Sequence, residues 1–383
     1  MTIHVLCNCY WGDGISGGDA RVLELLNAWH GKIDNNKVIV YTTAGFLKLM
    51  KEKFGDIYEV VLTDKGDKKN LTLSYMGRTM ECIKGLKKRF RKGDVVYSTT
   101  DILPDVIPAS YIKSFFKNKC RWVVITYHIY EKFFKRPGNI FINFLSCYQQ
   151  KYAIHLGKKL ADSYLTTSPE VKRLLENSKG IKAKVGLNSC AVRISDIDKS
   201  DCSLGKYEAT FLARLNYSKG VMELPKIWNL VVKKYPEAKL AIMGKGTLEI
   251  EEKLREEIKK YNLESNIDLP GFVSSEEGWS TIRESGCFLF TSHEEGWGMS
   301  VAEALTAGTP VVAYRLPVFE DLFPEGTVYC DMLNISQMAD AVCDMISDKE
   351  KADELGKGGS EYVRNHYSIE KMTEIETGFL LGE

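Results

Sequence analysis

The sequence predicts an α/β protein with two doubly wound parallel sheets, and three observations lead to this prediction. Short apolar runs recur along the chain, and several are followed by apolar residues at helical spacing. Glycine-rich turns follow such runs in both halves, as expected where strands lead into helices. The 383 residues, 44% hydrophobic, can form two domains with separate cores. We expect domains over 1–190 and 191–365 and a last helix within 366–383.

The N-terminal half begins with the pattern of a strand, a glycine-rich loop and a helix. Ile3–Cys7 is a continuous apolar run, the loop spans 12–18, and Val22, Leu26 and Trp29 follow at helical spacing. The loop does not read G-x-G-x-x-G, which weighs against a dinucleotide-binding fingerprint. Its glycines also fit a tight turn that holds no ligand.

Further strands are predicted in the N-terminal half at Asp94–Tyr97 and Trp122–Thr126. His128 follows the second of these strands, at the edge where an open parallel sheet binds its ligands. A lone histidine is more often a hydrogen-bonded structural residue than a catalytic one, so the pattern alone leaves both interpretations open.

The C-terminal half contains a predicted βαβ unit. Cys287–Phe290 and Val311–Tyr314 are short apolar strands, and Val301–Leu305 between them is helical. In such a unit ligands bind at the loop after the first strand. Gly296 and Gly298 in this loop allow close approach of the main chain, and the N–H groups of the helix start attract anions.

Two carboxylates, Glu295 and Glu303, lie eight positions apart across this loop and the helix start. They are candidates for contact with a substrate. The alternative is structural, because Ser300 and Glu303 also fit a capping box in which each side chain bonds to the main chain of the other residue. The residues alone leave both interpretations open.

Two cations follow an earlier strand of the same half. The apolar run that begins at Thr210 leads into a loop that carries Arg214 and Lys219. A planar guanidinium and a mobile ammonium together suit a diphosphate. The alternative is an ordinary solvated loop.

In their order and spacing these segments resemble the retaining glycosyltransferases of the GT-B fold, family four, also called glycosyl transferases group 1. The resemblance covers most of the chain and implies two Rossmann-like domains facing each other across a cleft. Arg214 and Lys219 resemble the family's diphosphate-binding cations, the segment 240–246 its next strand and glycine turn, and the segment 269–273 the part that lies against the base. The resemblance also implies that the last helix returns to the N-terminal domain.

The resemblance assigns roles to individual residues. Glu295 is expected to address the hydroxyls of the donor sugar, Glu303 the ribose, and His128 the donor sugar from the N-terminal domain. The frequent His-Asp pair is His128-Ile129 here, so the following carboxylate is missing. The expected catalytic residues are Glu295, His128, Arg214 and Lys219. The expected donor-binding residues are Gly17, Gly18, Arg214, Lys219, Gly244, Phe272, Glu295, Gly296, Trp297, Gly298, Met299, Ser300 and Glu303.

The net charge of +1 conceals a strong asymmetry. Residues 1–190 contain 31 Lys and Arg against 17 Asp and Glu, a net charge of +14, and residues 191–383 contain 21 against 34, a net charge of −13. A basic N-terminal domain attracts an anionic partner: a phospholipid surface, a polyprenyl diphosphate or another phosphorylated acceptor. No nucleic-acid-binding motif accompanies the charge, so we expect no nucleic-acid partner.

Two segments of the basic half are candidates for contact with a membrane. In 71–92, apolar residues at helical spacing precede a cluster of Lys and Arg, and 133–145 combines aromatic and basic residues. A basic amphipathic helix can lie on an anionic bilayer. The alternative for each segment is a helix whose apolar side faces the core.

Composition and motifs also bear on compartment and metal binding. The ten cysteines form no C-x-x-C pair, no run of 18 apolar residues occurs, and the N-terminus lacks the features of a signal peptide. We expect a cytoplasmic protein, peripheral on the inner face of the membrane if it docks there. Asp196-Ile-Asp198 lies in a predicted polar connector, away from any strand end, so we expect no metal site there.

The resulting prediction is a retaining glycosyltransferase that needs no metal or other cofactor. It would move a hexose from a nucleoside-diphosphate sugar, of the UDP or GDP type, to a hydroxyl of a glycan or lipid-linked acceptor. Two alternatives stay open, a nucleotide-sugar epimerase and a non-catalytic nucleotide-sugar-binding protein. A dinucleotide-dependent oxidoreductase would need the glycine fingerprint that the chain lacks.

Overall fold

The computed structural model describes residues 1–12, 15–34, 37–65, 70–130, 133–134, 140–178 and 180–382, without the side chain of residue 142. The chain forms two compact units. The first consists of Met1–Ala191 together with Ile369–Glu383, and the second of Val192–Ser368. In the predicted loop 12–18, residues 13 and 14 lie outside the described residues, as do 131–132 and 135–139 around the second membrane candidate.

The first unit is built on a parallel sheet of seven described strands in the order β3-β2-β1-β4-β5-β6-β7. The strands are β1 Ile3–Cys7, β2 Val38–Thr42, β3 Glu59–Leu62, β4 Val95–Ser98, β5 Arg121–Thr126, β6 Ser163–Thr166 and β7 Lys184–Leu187. The helices are α1 Gly17–Trp29, α2 Ala44–Phe54, α3 Leu71–Arg89, α4 Leu103–Phe116, α5 Ile140–Leu160 and α6 Pro169–Glu176. One core forms between the sheet and α1 and α2, and another between the sheet and α3 to α6.

The second unit contains a parallel sheet of six described strands in the order β10-β9-β8-β11-β12-β13. The strands are β8 Ala209–Leu212, β9 Leu240–Met243, β10 Ile267–Gly271, β11 Cys287–Phe290, β12 Val311–Tyr314 and β13 Thr327–Cys330. The helices are α7 Ile194–Lys199, α8 Leu224–Lys234, α9 Leu248–Lys260, α10 Ser275–Arg283, α11 Met299–Thr306, α12 Pro317–Leu322, α13 Ile335–Ser347 and α14 Lys349–His366. The strand order changes direction between β8 and β11, which is where open sheets of this kind bind ligands.

The last helix, α15 Ile369–Leu381, belongs to the first unit, where it packs beside α1. Its Glu376 is fully buried and forms an ion pair with the buried Arg21 of α1. The same carboxylate accepts hydrogen bonds from the Tyr97 hydroxyl and from Asn188 Nδ2, the latter at 2.8 Å. The buried charge of Glu376 is therefore balanced by a cation and further donors, as burial of a charge requires.

The fold class predicted from the sequence is confirmed: all described strands pair in parallel, within two separate sheets. Ile3–Cys7, Cys287–Phe290 and Val311–Tyr314 are strands with the predicted bounds. The strand predicted from Asp94 begins at Val95. Among the described residues no helix is long and apolar enough to cross a bilayer.

The region predicted as a polar connector differs in the structure, because Ile194–Lys199 forms helix α7. The carboxylates of the D-x-D sequence both face arginines. Asp198 forms a two-point ion pair with Arg364, with Nη1 to Oδ2 at 2.9 Å and Nη2 to Oδ1 at 2.5 Å. Asp196 lies 3.6 Å from Arg193. These contacts give both acids a structural role within the second unit.

Candidate active site

The candidate site of the second unit begins where the loops after β8 and β11 meet. These strands are neighbours and run in parallel, so their following loops lie at the same edge of the sheet. The main-chain N–H of His293 donates to the carbonyl of Ser218 at 2.8 Å, and Thr291 Oγ1 donates to the carbonyl of Lys219 at 3.0 Å. A side chain at Gly220, where φ is +67°, would place its Cβ only 2.0 Å from the Thr291 carbonyl oxygen. Glycine therefore permits the close contact of the two loops.

Lys219 and Glu295 form an ion pair across this junction. Ser292 Oγ lies 3.4 Å from Glu295 Oε1 and supports the carboxylate from its own loop. The side chains of Lys219 and Glu295 are 20% and 16% exposed, so each keeps a small part of its surface accessible to solvent. The structure thus brings together two of the predicted catalytic residues, 76 positions apart in sequence.

Arg214, the second predicted cation, lies on the loop after β8 and is exposed. Within the described residues it makes no ion pair or side-chain hydrogen bond. Its loop is joined to the loop after β9, because the Leu215 N–H donates to the Lys245 carbonyl at 2.9 Å. At Gly244, with φ +140°, a Cβ would lie 1.8 Å from the Ala213 carbonyl oxygen. Lys245 is an exposed third cation near this junction that the sequence prediction omitted, although the G-K-G sequence contains it.

Helix α11 begins immediately after the glycine-rich loop. Gly298 is the residue that caps it, with a left-handed φ of +94°, and the N–H groups of Val301 and Ala302 both donate to its carbonyl at 3.1 Å. Met299 and Ser300 are the first two helical residues, whose N–H groups have no acceptor inside the helix. The capping-box interpretation of Ser300 and Glu303 is therefore wrong. The helix start keeps N–H groups that suit an anion.

Glu303 lies one turn into α11 and is half-buried. Burial raises the pKa of its carboxyl to about 7, and two contacts oppose this rise: the positive charge of Arg193 and a hydrogen bond with the Trp279 side chain. The Arg193 guanidinium stacks over the Trp279 ring at 4.7 Å. Sequence reasoning missed both residues, because neither is near Glu303 in the chain.

The two predicted aromatic contacts differ in exposure. Phe272, next to the left-handed Gly271, is 79% exposed. Trp297 is 4% exposed, and its ring packs edge-on against Phe323 and Tyr367 at centroid distances of 5.5 and 5.2 Å. The Trp297 ring therefore belongs to the core of the second unit, whereas the Phe272 ring is exposed to solvent.

The predicted residues of the first unit lie at the carboxyl edge of its own sheet. Gly17 begins α1, and a Cβ at Gly18 would lie 3.3 Å from the Tyr127 ring, so the first loop passes directly beside the segment that carries His128. The His128 ring is half-buried and contacts the Tyr130 ring edge-on at 5.5 Å.

A polar network that the sequence did not predict holds the His128 segment. Gln150 on α5 donates from Nε2 to the His128 carbonyl at 2.6 Å and to Asp101 Oδ2 at 3.0 Å, and its Oε1 accepts from the Tyr130 N–H at 2.8 Å. Burial raises the pKa of Asp101 to about 6, against the opposing effects of Gln150 and of a positive charge on His128. Asp101 thus places a carboxylate near His128, although no carboxylate follows His128 in sequence. The sequence offered one indication of this placement, because Asp101 follows a predicted strand.

Comparison with known proteins fits this architecture. Residues 193–362 match the family described as "Glycosyl transferases group 1". The second unit is a group 1 glycosyl transferase domain. This domain carries Arg214, Lys219 and Glu295 on its loops and Glu303 on helix α11. The match includes both loops joined by the ion pair of Lys219 and Glu295.

Relatives of the chain include one bacterial and one archaeal protein. The chain is 32% identical over 183 residues to poly(glycerol-phosphate) alpha-glucosyltransferase of Bacillus subtilis, covering 44% of this chain and 27% of that protein. It is 27% identical over 325 residues to an uncharacterised glycosyltransferase of Methanocaldococcus jannaschii, covering 77% and 75%. The alignment thus spans only about a quarter of the Bacillus protein.

Among solved structures, that of HepE from Anabaena in complex with UDP superposes with a TM-score of 0.77. The superposition covers 100% of both chains at 14% sequence identity. This similarity concerns the fold: two Rossmann-like domains.

Proposed function

We propose that the chain is a glycosyltransferase that moves a hexose from a nucleoside-diphosphate sugar to an acceptor hydroxyl, with retention at the anomeric carbon. The observation that carries the proposal is the junction of two loops of the group 1 domain, where Lys219 meets Glu295 beside the start of α11. A cation, a carboxylate and a helix start at one strand edge suit a sugar joined to a diphosphate.

The cations and the helix start would act on the leaving group. As the glycosyl bond breaks, negative charge grows on the diphosphate, and positive groups already in place stabilise it without reorganising. The ion pair with Glu295 holds Lys219 at the loop junction, and the exposed Arg214 is able to turn toward a phosphate bound there. The N–H groups of Met299 and Ser300 would add partial positive charge. The proposal therefore assigns no role to a metal.

Retention would follow from attack on the same face of the sugar that the diphosphate leaves. The departing phosphate would accept the proton of the acceptor hydroxyl, so no protein base is needed for that proton. Glu295 would orient the sugar through its hydroxyls, and Glu303 would bind the ribose. His128 would contact the sugar from the first unit, with its main chain fixed by Gln150.

The donor and acceptor are proposed from the relatives and the charge. UDP is bound in the HepE structure, and the Bacillus relative is named for glucosyl transfer to poly(glycerol phosphate). We propose a UDP-sugar donor and a phosphorylated acceptor, lipid-linked or glycan, since the basic half of the chain attracts anions. The site of action would be cytoplasmic, at the inner face of the membrane.

The test is a transfer assay on the full chain. UDP-glucose, UDP-N-acetylglucosamine and GDP-mannose are each supplied with poly(glycerol phosphate) or a polyprenyl-diphosphate-linked sugar, and free nucleotide and the anomeric configuration of the product are measured. We expect one donor and acceptor pair to release nucleotide and to give an α-linked product. Lys219→Ala should lower kcat by about 100-fold or more, the usual cost of removing one group that stabilises developing charge.

Two variants separate the charge of Lys219 from general damage. Lys219→Arg keeps the cation and should retain more activity than Lys219→Ala. Lys226→Ala removes an exposed cation of α8 in the same unit and should leave the rate unchanged. A wild-type rate in Lys219→Ala would refute the role of this cation. Release of no nucleotide from any donor, or an inverted product, would refute the proposed reaction.

A further inference from the structure

The first half of helix α3 has its apolar side turned outward. Leu73, Met76 and Met80 are 47%, 61% and 56% exposed. On the inward side the helix buries polar residues instead: Ser74, Arg78 and Thr79. Arg78 is satisfied there, because its Nη1 donates to the carbonyl of Asn8 at 2.8 Å. In its first half the segment 71–92 therefore turns its apolar side outward, whereas Phe90 near its end is buried in the core.

Helix α5 shows the same inversion. Its first three turns bury Asn143, Cys147 and Gln150. The exposed side of α5 carries large apolar residues, all at least 45% exposed: Ile140, Phe141, Phe144, Leu145, Tyr148 and Tyr152. An inward polar residue, Gln150, stabilises the fold, because its side chain donates hydrogen bonds to Asp101 and to the His128 segment. The outward residues contribute little to the core of the first unit.

These exposed residues share one side of the first unit. Helix α4 packs between α3 and α5 and adds Tyr111 and Phe115, which are 40% and 75% exposed. We call the outward side of α3, α4 and α5 the outer helical face. Of the 25 large hydrophobic side chains exposed in the described residues, 13 lie between Leu71 and Tyr152. Such a concentration is unusual for a surface that meets only water.

The stretch of chain that forms the outer helical face is also strongly basic. Residues 71–160 contain 17 Lys and Arg against 5 Asp and Glu, a net charge of +12. Exposed lysines flank the apolar residues, among them Lys87 and Lys88 at the end of α3 and Lys151 on α5. Lys87 lies over the Tyr111 ring at 4.8 Å, so charge and aromatic surface are in direct contact.

We propose that the outer helical face docks on an anionic phospholipid bilayer. An anionic bilayer has an apolar interior and a negatively charged surface. The apolar and aromatic side chains of several helices suit the first, and the lysines among them suit the second. A second copy of the chain fits less well, because it would bring two lysine-rich faces together. The inference extends the proposed function, since it gives the enzyme a membrane surface from which to reach its acceptor.

The position of the face in the first unit agrees with this role. In a parallel sheet the helices that follow strands begin at the carboxyl edge, and most of the exposed apolar residues of α3 and α5, though not those of α4, lie in the first halves of their helices. The His128 segment lies at the same edge and is bonded to α5 through Gln150. Docking would therefore bring this edge of the first unit near the bilayer surface.

The test is flotation of the full chain with vesicles of phosphatidylcholine alone or of an equimolar mixture with phosphatidylglycerol. Binding is expected only to the anionic vesicles. Met76→Ser and Tyr148→Ser should each lower the partition coefficient by about tenfold, as expected for the loss of one large apolar contact. Lys88→Gln should lower it by about fivefold, the usual effect of one lysine at an anionic surface.

Matched controls lie elsewhere on the chain. Leu248→Ser removes an apolar residue that is 74% exposed in the second unit, and Lys48→Gln removes an exposed cation from α2, on the other side of the sheet. Neither should change vesicle binding. Because all of these residues are exposed, the variants should fold, which thermal unfolding of each variant verifies.

Three outcomes would overturn the proposal. They are no flotation of the wild type with anionic vesicles, equal flotation of the outer-face variants and the wild type, or a dimer by light scattering that Tyr148→Ser dissociates. The last result would assign the face to a second copy. Nucleotide release measured without vesicles tests the proposed reaction separately, so failure of docking and failure of the enzyme are distinguishable.

Discussion

Glu303 is a residue whose ionisation depends on its folded surroundings. Burial raises the pKa of its carboxyl from 4.5 to about 7. A raised pKa means that the folded chain holds the proton more tightly than the unfolded chain. The protonated group therefore favours folding, and this contribution is lost as the pH rises from about 4.5 through about 7.

Substitution of Glu303 tests this effect. Glu303→Gln removes the ionisation, so at pH 8 the variant should be more stable than the wild type by about 3 kcal/mol, and at pH 4.5 the two should be similar. Urea denaturation at both pH values measures the difference. Glu252→Gln, at an exposed position of α9, should show no such pH-dependent difference. Equal pH dependence of the wild type and Glu303→Gln would contradict the raised pKa.

At the same scale, some site residues could be predicted from the sequence and others could not. Lys219 and Glu295 stand out because each follows an apolar strand, and parallel strands bring such loops to one edge. Asp101 and Gln150 were missed, because their contact depends on the packing of α5 against the sheet. The exposure of Phe272 and the burial of Trp297 also depend on packing, which a glycine-rich motif does not encode.

At the scale of elements, buried strands were predicted best. Cys287–Phe290 and Val311–Tyr314 are continuous apolar runs bounded by polar or glycine-rich segments, and their bounds were correct. Helix α3 was ambiguous, because its apolar spacing fits a core-facing side as well as an outward one. Tertiary contacts decide between the two. Arg78 donates hydrogen bonds to main-chain carbonyls inside the unit, and this orientation of the helix leaves Met76 and Met80 exposed to solvent.

Helix α15 offers a test at this scale, because a buried ion pair connects it to α1. Glu376→Ala would leave the buried Arg21 without its carboxylate, and removal of one partner of such a pair usually costs about 3–5 kcal/mol. We expect that loss in the free energy of unfolding of the first unit, measured by chemical denaturation. The double variant Arg21→Met, Glu376→Leu removes both charges and should lose less.

An exposed acid of the same helix is the control. Glu370→Ala, in the first turn of α15, should change the stability by less than about 0.5 kcal/mol, as is usual for surface positions. If Glu376→Ala were as stable as Glu370→Ala, α15 would not depend on the ion pair for its attachment.

At the scale of the whole molecule, charge is segregated between the units. The first unit contains 32 Lys and Arg against 21 Asp and Glu, a net charge of +11, and the second contains 20 against 30, a net charge of −10. An anionic nucleotide-sugar is thus proposed to bind a unit that is negative overall. Its binding must depend on local cations such as Lys219 and Arg214, whereas attraction of the first unit for anions acts over a longer range.

This segregation predicts how the chain behaves on ion exchangers. The isoelectric point calculated from the sequence is about 7.5. At this pH a protein whose positive and negative charges were evenly distributed over its surface would pass through a cation exchanger. We expect the full chain to be retained at low salt through the first unit and released as salt shortens the Debye length from about 30 Å at 0.01 M to about 10 Å at 0.1 M. Lys87→Glu with Lys88→Glu should elute earlier, and Lys233→Glu with Lys234→Glu, in the second unit, should shift less. Passage of the wild type without retention would show that the basic charge of the first unit is not available to an anionic surface.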